Sequence, residues 1–143
     1  YDHSVRVPFM VVGPNVDAGR RIDEPIYLQD VMPTTLELAK IDKPEHVEFH
    51  SILPLLAGEN SPYESIYGCY LEKQRSIRTD QHKLMVYPEA PAIRLYDIQA
   101  DPLETNDLAG DPTMKPLVRE LFTNLVNLQG EMNDDLSLAH VSP

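Results

Sequence analysis

A few residues in this chain have side chains and spacings suited to chemistry. His46, Glu48 and His50 alternate, and on one face of a strand they would bring two imidazoles and a carboxylate together as a metal site does. The segment lies between Pro44 and Pro54, with no fourth ligand nearby, so a polar loop is the favoured reading. Cys69 is the single cysteine, which excludes an internal disulfide and a Cys-based zinc site. Set between Gly68 and Tyr70, it reads as a small core residue of a strand rather than a nucleophile. Gly19-Arg20-Arg21 is a basic spot that reads as two solvated loop arginines or an anion contact. His3 is the most suggestive titratable group, because it precedes an apolar strand and strand ends in α/β sheets line crevices. There is no Gly-x-Ser-x-Gly, no phosphate-binding glycine loop and no His-Glu-x-x-His, so no catalytic constellation is complete.

The elements that must position these groups follow from hydrophobic periodicity. Val7 to Val12 is apolar on both parities and ends at Gly13-Pro14, as a strand covered on both faces does. Most of its partner strands are expected outside this chain. Asp30 reads as the N-cap of a helix over Val31 to Lys40, and Ser51 to Gly58 as a shorter helix. From Ser61 the period changes to two. Strands are predicted at Ser65 to Tyr70, Arg75 to Thr79, His82 to Tyr87 and Arg94 to Ile98, in an antiparallel meander. Asp111 then caps a long helix starting at Pro112, with Leu117, Leu121, Leu125 and Leu128 on one face and Val118, Phe122 and Val126 widening the stripe. The acidic tail 131–143 reads as loose. The class is α/β, turning to α+β in the C-terminal part.

Charge narrows the partners. Twelve Lys and Arg against 23 Asp and Glu give a net charge of −11, so neither nucleic acid nor an anionic membrane is expected as a partner. No apolar run approaches the ~20 residues needed to span a bilayer, and no basic-then-apolar signal pattern opens the chain. It begins on Tyr1 and is expected to be a piece of a longer protein.

Taken in order, several segments resemble the C-terminal portion of an arylsulfatase-type sulfatase. They are Tyr1-Asp2-His3-Ser4-Val5-Arg6-Val7-Pro8-Phe9 with Gly13-Pro14, Asp30 to Ala39, and Ser51 to Gly58. Arg75 to Thr79 with Lys83-Leu84, and Leu95-Tyr96-Asp97 with Asp101 to Ala109, complete the set. The resemblance implies a member of the alkaline-phosphatase superfamily, divided here into 1–60 as the end of the catalytic α/β domain and 61–130 as a C-terminal subdomain. It implies a sulfate-ester hydrolase whose formylglycine nucleophile and calcium belong to a preceding catalytic domain. That domain and a sulfated small molecule or carbohydrate would be the partners, and this chain alone would be inactive.

Cys69 is followed by Tyr70-Leu71-Glu72-Lys73, which departs from the family's formylglycine motif of Cys or Ser, any residue, Pro or Ala, any residue, Arg. By position, His3 would flank the pocket mouth, and side chains between Glu72 and Arg78, Arg75 among them, would reach the leaving group. Family analogy implies a periplasmic or secreted parent. Two other readings compete: a phosphodiester or phosphonate hydrolase of the same superfamily, and a non-enzymatic carbohydrate-binding or interaction module. Self-association through Val7 to Val12 is a further expectation if that strand has no other cover.

Overall fold

The computed structural model describes all 143 residues as two compact units. Tyr1–Val7 belongs with Tyr67–Pro143, and Pro8–Ile66 forms the other unit. The first seven residues therefore fall in with the meander rather than with the segment that follows them.

The meander has four strands, β1 (Ile66–Tyr70), β2 (Gln74–Arg78), β3 (His82–Tyr87) and β4 (Ala92–Asp97), in that spatial order. β2 pairs antiparallel with β3 through Ile77↔Leu84 and Arg78↔Lys83, and β3 with β4 through Lys83↔Tyr96 and Leu84↔Leu95. Because side chains alternate across a strand, this register sorts them into two faces. Tyr67, Ile77, Leu84, Val86 and Leu95 face the core with helix α4 (Lys115–Glu131). Lys83, Met85 and Tyr96 occupy the opposite face, where Met85, Tyr96 and Ile98 form a smaller cluster.

Helix α4 is launched as predicted. Asp111 Oδ1 accepts from the Thr113 amide at 2.8 Å, above a 3-10 turn that starts at Pro112. The most buried line of the helix is Val118, Leu121, Leu125 and Gln129, rotated slightly from the predicted Leu117–Leu128 line, and Val126 is solvent-exposed. Residues 131–143 are not loose. Leu138 and Val141 are buried in the main core, and Gln129 Nε2 donates to the Leu136 carbonyl at 2.6 Å. A polar composition conceals two well-spaced core side chains here.

The Pro8–Ile66 unit is built around Asp30, which is 1% exposed. Helix α2 (Val31–Leu38) follows it, but the carboxylate does not cap that helix. It accepts instead from the Tyr27 amide (2.8 Å), the His50 amide (3.1 Å) and the Tyr63 hydroxyl (2.6 Å), while the Thr34 hydroxyl donates to the Asp30 carbonyl (2.6 Å). A buried carboxylate needs this many donors to offset its desolvation. Burial, and then Asp30 beside it, pushes the Tyr63 phenol well up. Helix α3 (Leu53–Leu56) ends at Gly58, whose φ of +97° is the left-handed geometry of a helix C-terminus. Arg20 donates to the Leu55 and Leu56 carbonyls at that end, so it is a helix cap, and Arg21 pairs with Asp23.

Val7 to Val12 is not a strand. It runs without ladder partners, with Met10 88% and Val12 97% exposed. A doubly covered strand needs hydrogen-bonding neighbours on each side, and the four strands of this chain form their ladder with one another.

Candidate functional site

Tyr1 to Val5 is the segment that carries His3, and one turn of helix, α1 (Asp2–Val5), shapes it. So short a helix has no stability of its own, because nucleation costs more than a single hydrogen-bonded turn returns. It is held from outside. Asp2 Oδ1 lies 2.9 Å from Lys83 Nζ, and Asp2 Oδ2 lies 3.4 Å from Arg78 Nε. The Asp2 amide donates to Glu104 Oε2 at 2.6 Å. Lys83 Nζ is also 2.8 Å from Glu104 Oε1, an ion-pair contact without hydrogen-bond alignment. Side-chain exposure is 3% for Lys83 and 1% for Glu104. Burial opposes ionisation of Asp2, but Lys83 and then Arg78 outweigh it and hold the carboxyl below its usual range.

Each member is placed by a local rule. Arg78 and Lys83 are cross-strand partners next to the β2–β3 turn, and Tyr96 continues the row. Glu104 sits in a left-handed conformation at φ +53°, inside a turn where Asp101 Oδ2 accepts from the Thr105 and Asn106 amides at 2.7 and 2.8 Å. Asp107 completes the loop by accepting from the Leu95 and Ala109 amides. The Asp101-to-Ala109 segment is thus a built turn that aims Glu104 inward.

His3 is exposed, and its ring stacks on Tyr1 with centroids 5.8 Å apart and planes 10° apart. Tyr1 in turn lies 6.0 Å from Tyr96. Burial, and then the neighbouring Tyr1 phenol, pushes the Tyr96 and Tyr87 phenols up. Arg75 lies elsewhere. It sits opposite Val86 on the helix side of the sheet, 6% exposed. Its Nε and Nη2 donate to Asp134 at 2.6 and 3.0 Å, and Nη1 donates to the Leu71 and Gln74 carbonyls. His3 and Arg75 are not gathered into one site, and Arg75 has its donors engaged within the chain. The residues missed by sequence reading are Asp2, Lys83 and Glu104. A lysine followed directly by Leu84, Met85 and Val86 in a strand is the available signal, masked because a charged residue at a strand end is ordinarily assigned to solvent.

His46, Glu48 and His50 do not form a strand, and no group of three or more His, Cys, Asp or Glu is arranged to hold a metal ion. Cys69 is exposed on β1 and followed by Tyr70-Leu71-Glu72-Lys73. Cys69 therefore lacks the sequence setting of a formylglycine precursor.

The family model of the C-terminal region of N-sulphoglucosamine sulphohydrolase matches residues 1–131. The ulvan-active sulfatase of Formosa agariphila is 28% identical over 94% of this chain and 29% of its own length. Arylsulfatase K of Gallus gallus is 30% identical over 76% of this chain and 23% of its own. The chain thus spans about a quarter of the length of these curated relatives. A solved structure in complex with its substrate D-glucosamine-2-N,6-O-disulfate superposes with a TM-score of 0.68 at 28% identity, covering 74% of this chain and 24% of that one. A phosphonate monoester hydrolase from Silicibacter pomeroyi superposes with a TM-score of 0.70 at 18% identity, over 87% of this chain and 29% of its own, which shows a shared fold. With nearly the whole chain matched, and with the antiparallel sheet and long helix of its structural neighbours, this protein belongs to the sulfatase family defined by the C-terminal region of N-sulphoglucosamine sulphohydrolase.

Proposed function

We propose that this chain is the C-terminal part of a sulfuric ester hydrolase acting on a sulfated carbohydrate, and that it walls the substrate pocket without supplying the nucleophile. The family match over residues 1–131 carries the reading. The formylglycine and calcium of the family would be held by the polypeptide corresponding to the unmatched three quarters of the relatives. A carbohydrate is favoured over a simple aryl sulfate because one relative is named for ulvan and one neighbour was solved with a sulfated glucosamine. The phosphonate hydrolase likeness supports the fold alone, so a phosphoester substrate has no comparable support.

The same polypeptide is the proposed cover for Phe9 to Val12, through strands that pair with this segment on both sides. The test is expression of the complete gene product beside the 143-residue chain, assaying sulfate release from ulvan, from N- and O-sulfated glucosamine and from an aryl sulfate. The complete protein is expected to release sulfate from a saccharide, and the chain alone to release none. Hydrolysis of phosphonate esters with no sulfate release would overturn the reading. Val11→Asp in the complete protein is expected to abolish soluble expression. Concentration-dependent dimers of the 143-residue chain that Val11→Asp disperses, with the complete protein unaffected, would point instead to self-association.

A further inference from the structure

We infer that Lys83 is a positioning residue for substrate: acting through Asp2 and Glu104, it fixes the Tyr1–His3 pair as one wall of the saccharide pocket. The inference rests on the sulfatase reading above.

Lys83 is out of place by ordinary packing. It is 3% exposed, on a strand face it shares with fully buried Met85. An aliphatic side chain could fill the position without desolvating an ammonium group. Buried ion pairs are commonly no more stabilising than the apolar residues that could replace them, and their best-attested use is to fix one register among several. Here the element being registered is plain. Two carboxylates, from positions 2 and 104, converge on one Nζ at 2.9 and 2.8 Å, and the Asp2 amide bonds to the second of them. Lys83 and Arg78 balance Asp2 and Glu104 charge for charge, so the cluster is neutral only with the segment seated. Glu104 Oε1 has no hydrogen-bond partner, and Lys83 is its ion-pair neighbour. Removing Lys83 would leave a buried carboxylate uncompensated and release the turn.

The seated turn presents a flat surface. The Tyr1 and His3 rings lie nearly parallel, with His3 exposed and Tyr1 39% exposed. Such a pair offers an apolar face to a sugar ring and an imidazole edge to its hydroxyl or sulfate groups. A contact of this kind holds the saccharide equally in the ground and transition states, so the seat of the turn bears on how tightly the saccharide is held.

The experiment uses the complete enzyme and its Lys83→Met, Lys83→Arg, Glu104→Gln, His3→Ala and Lys83→Met/His3→Ala variants. Steady-state sulfate release is measured on a sulfated disaccharide and on 4-nitrophenyl sulfate, which is too small to reach past the reacting ester. Lys83→Met is expected to raise KM for the disaccharide on the order of tenfold, with kcat nearly unchanged, as loss of uniform binding does. His3→Ala should give a similar rise, and the double variant no further one, since the two act on the same contact. Lys83→Arg should retain most of the wild-type KM, and KM for 4-nitrophenyl sulfate should not move. Should Lys83→Met fail to fold, Glu104→Gln keeps the shape, removes one charge and must show the same selective rise. Additive effects, equal changes on both substrates, or an unchanged disaccharide KM in an active enzyme would overturn the positioning role alone. A wild-type protein that releases sulfate from neither substrate would overturn the sulfatase reading, and this inference with it.

Discussion

Asp134→Ala is the most informative stability test. Asp134 closes the end of α4 by accepting from Arg75 Nε (2.6 Å), Arg75 Nη2 (3.0 Å), the Tyr67 hydroxyl (2.5 Å) and the Leu136 amide (3.1 Å). The Arg75 side chain is 7% exposed, so alanine at 134 would leave a guanidinium buried without its counter-charge. Removing one partner of a buried pair costs about 3–5 kcal/mol. The Asp134 side chain keeps 16% exposure, which places the expected loss at the lower end, about 3 kcal/mol. That is a large fraction of the 5–15 kcal/mol typical of a whole domain.

Urea unfolding of the 143-residue chain followed by circular dichroism measures the loss. Hydrogen exchange should show protection disappearing over residues 136–141, because Leu138 and Val141 are held through this clamp. Arg75→Met/Asp134→Leu, which removes both charges, should be less destabilised than Asp134→Ala. The pH dependence has a definite sign. Burial opposes ionisation of Asp134, but Arg75 and then Tyr67 outweigh it, so the folded pKa lies well below the unfolded one. The contribution is therefore complete above about pH 4–5 and is lost as pH falls through the folded value. Wild type should weaken in acid more steeply than Asp134→Ala. A variant within about 0.5 kcal/mol of wild type, with its tail still protected, would refute the clamp.

Gly68→Ala would place a Cβ 2.6 Å from Ser76 Oγ, and a loss of about 1–3 kcal/mol in urea unfolding is expected, partly relieved by Ser76→Ala. Asp30→Ala would strip the acceptor from Tyr63, Tyr27 and His50, and should lower stability by about 2–3 kcal/mol, with the His50 amide losing exchange protection first. Leu125→Ala, at a side chain with no exposure, should cost about 2–5 kcal/mol and lower Tm in a thermal scan.

The meander and its helix were legible in the sequence because their signals are local. His82 to Tyr87 and Arg94 to Ile98 are short apolar and aromatic runs bounded by turn residues, and Asp111-Pro112 announces α4 within one turn. Contacts that close over long distances left no such mark. Asp2 meets Lys83 across 81 positions and Glu104 across 102, and no periodicity links them. The acidic tail misled for the same reason, since its partners Arg75 and Tyr67 lie 59 and 67 positions back. Val7 to Val12 has the composition of an inner strand, yet composition cannot provide a neighbour to pair with. His3 is conspicuous from its place in the sequence. Its stacking partner Tyr1 and the lysine beneath its helix emerged only in three dimensions.

The bond between the Asp2 amide and Glu104 also sets a schedule for the growing chain. At about 5–20 residues per second, a ribosome needs roughly 5–20 s to pass from Asp2 to Glu104. The hairpins β2–β3 and β3–β4 can close as soon as each is made, because their partners are adjacent in sequence. Tyr1 to Val7 cannot seat until the Asp101 turn has emerged behind β4. Throughout that interval the apolar run from Val7 to Val12 travels unanchored at one end. A nascent chain paused before Glu104 is thus the species most exposed to premature association, and the stretch where a chaperone holding this run would matter most.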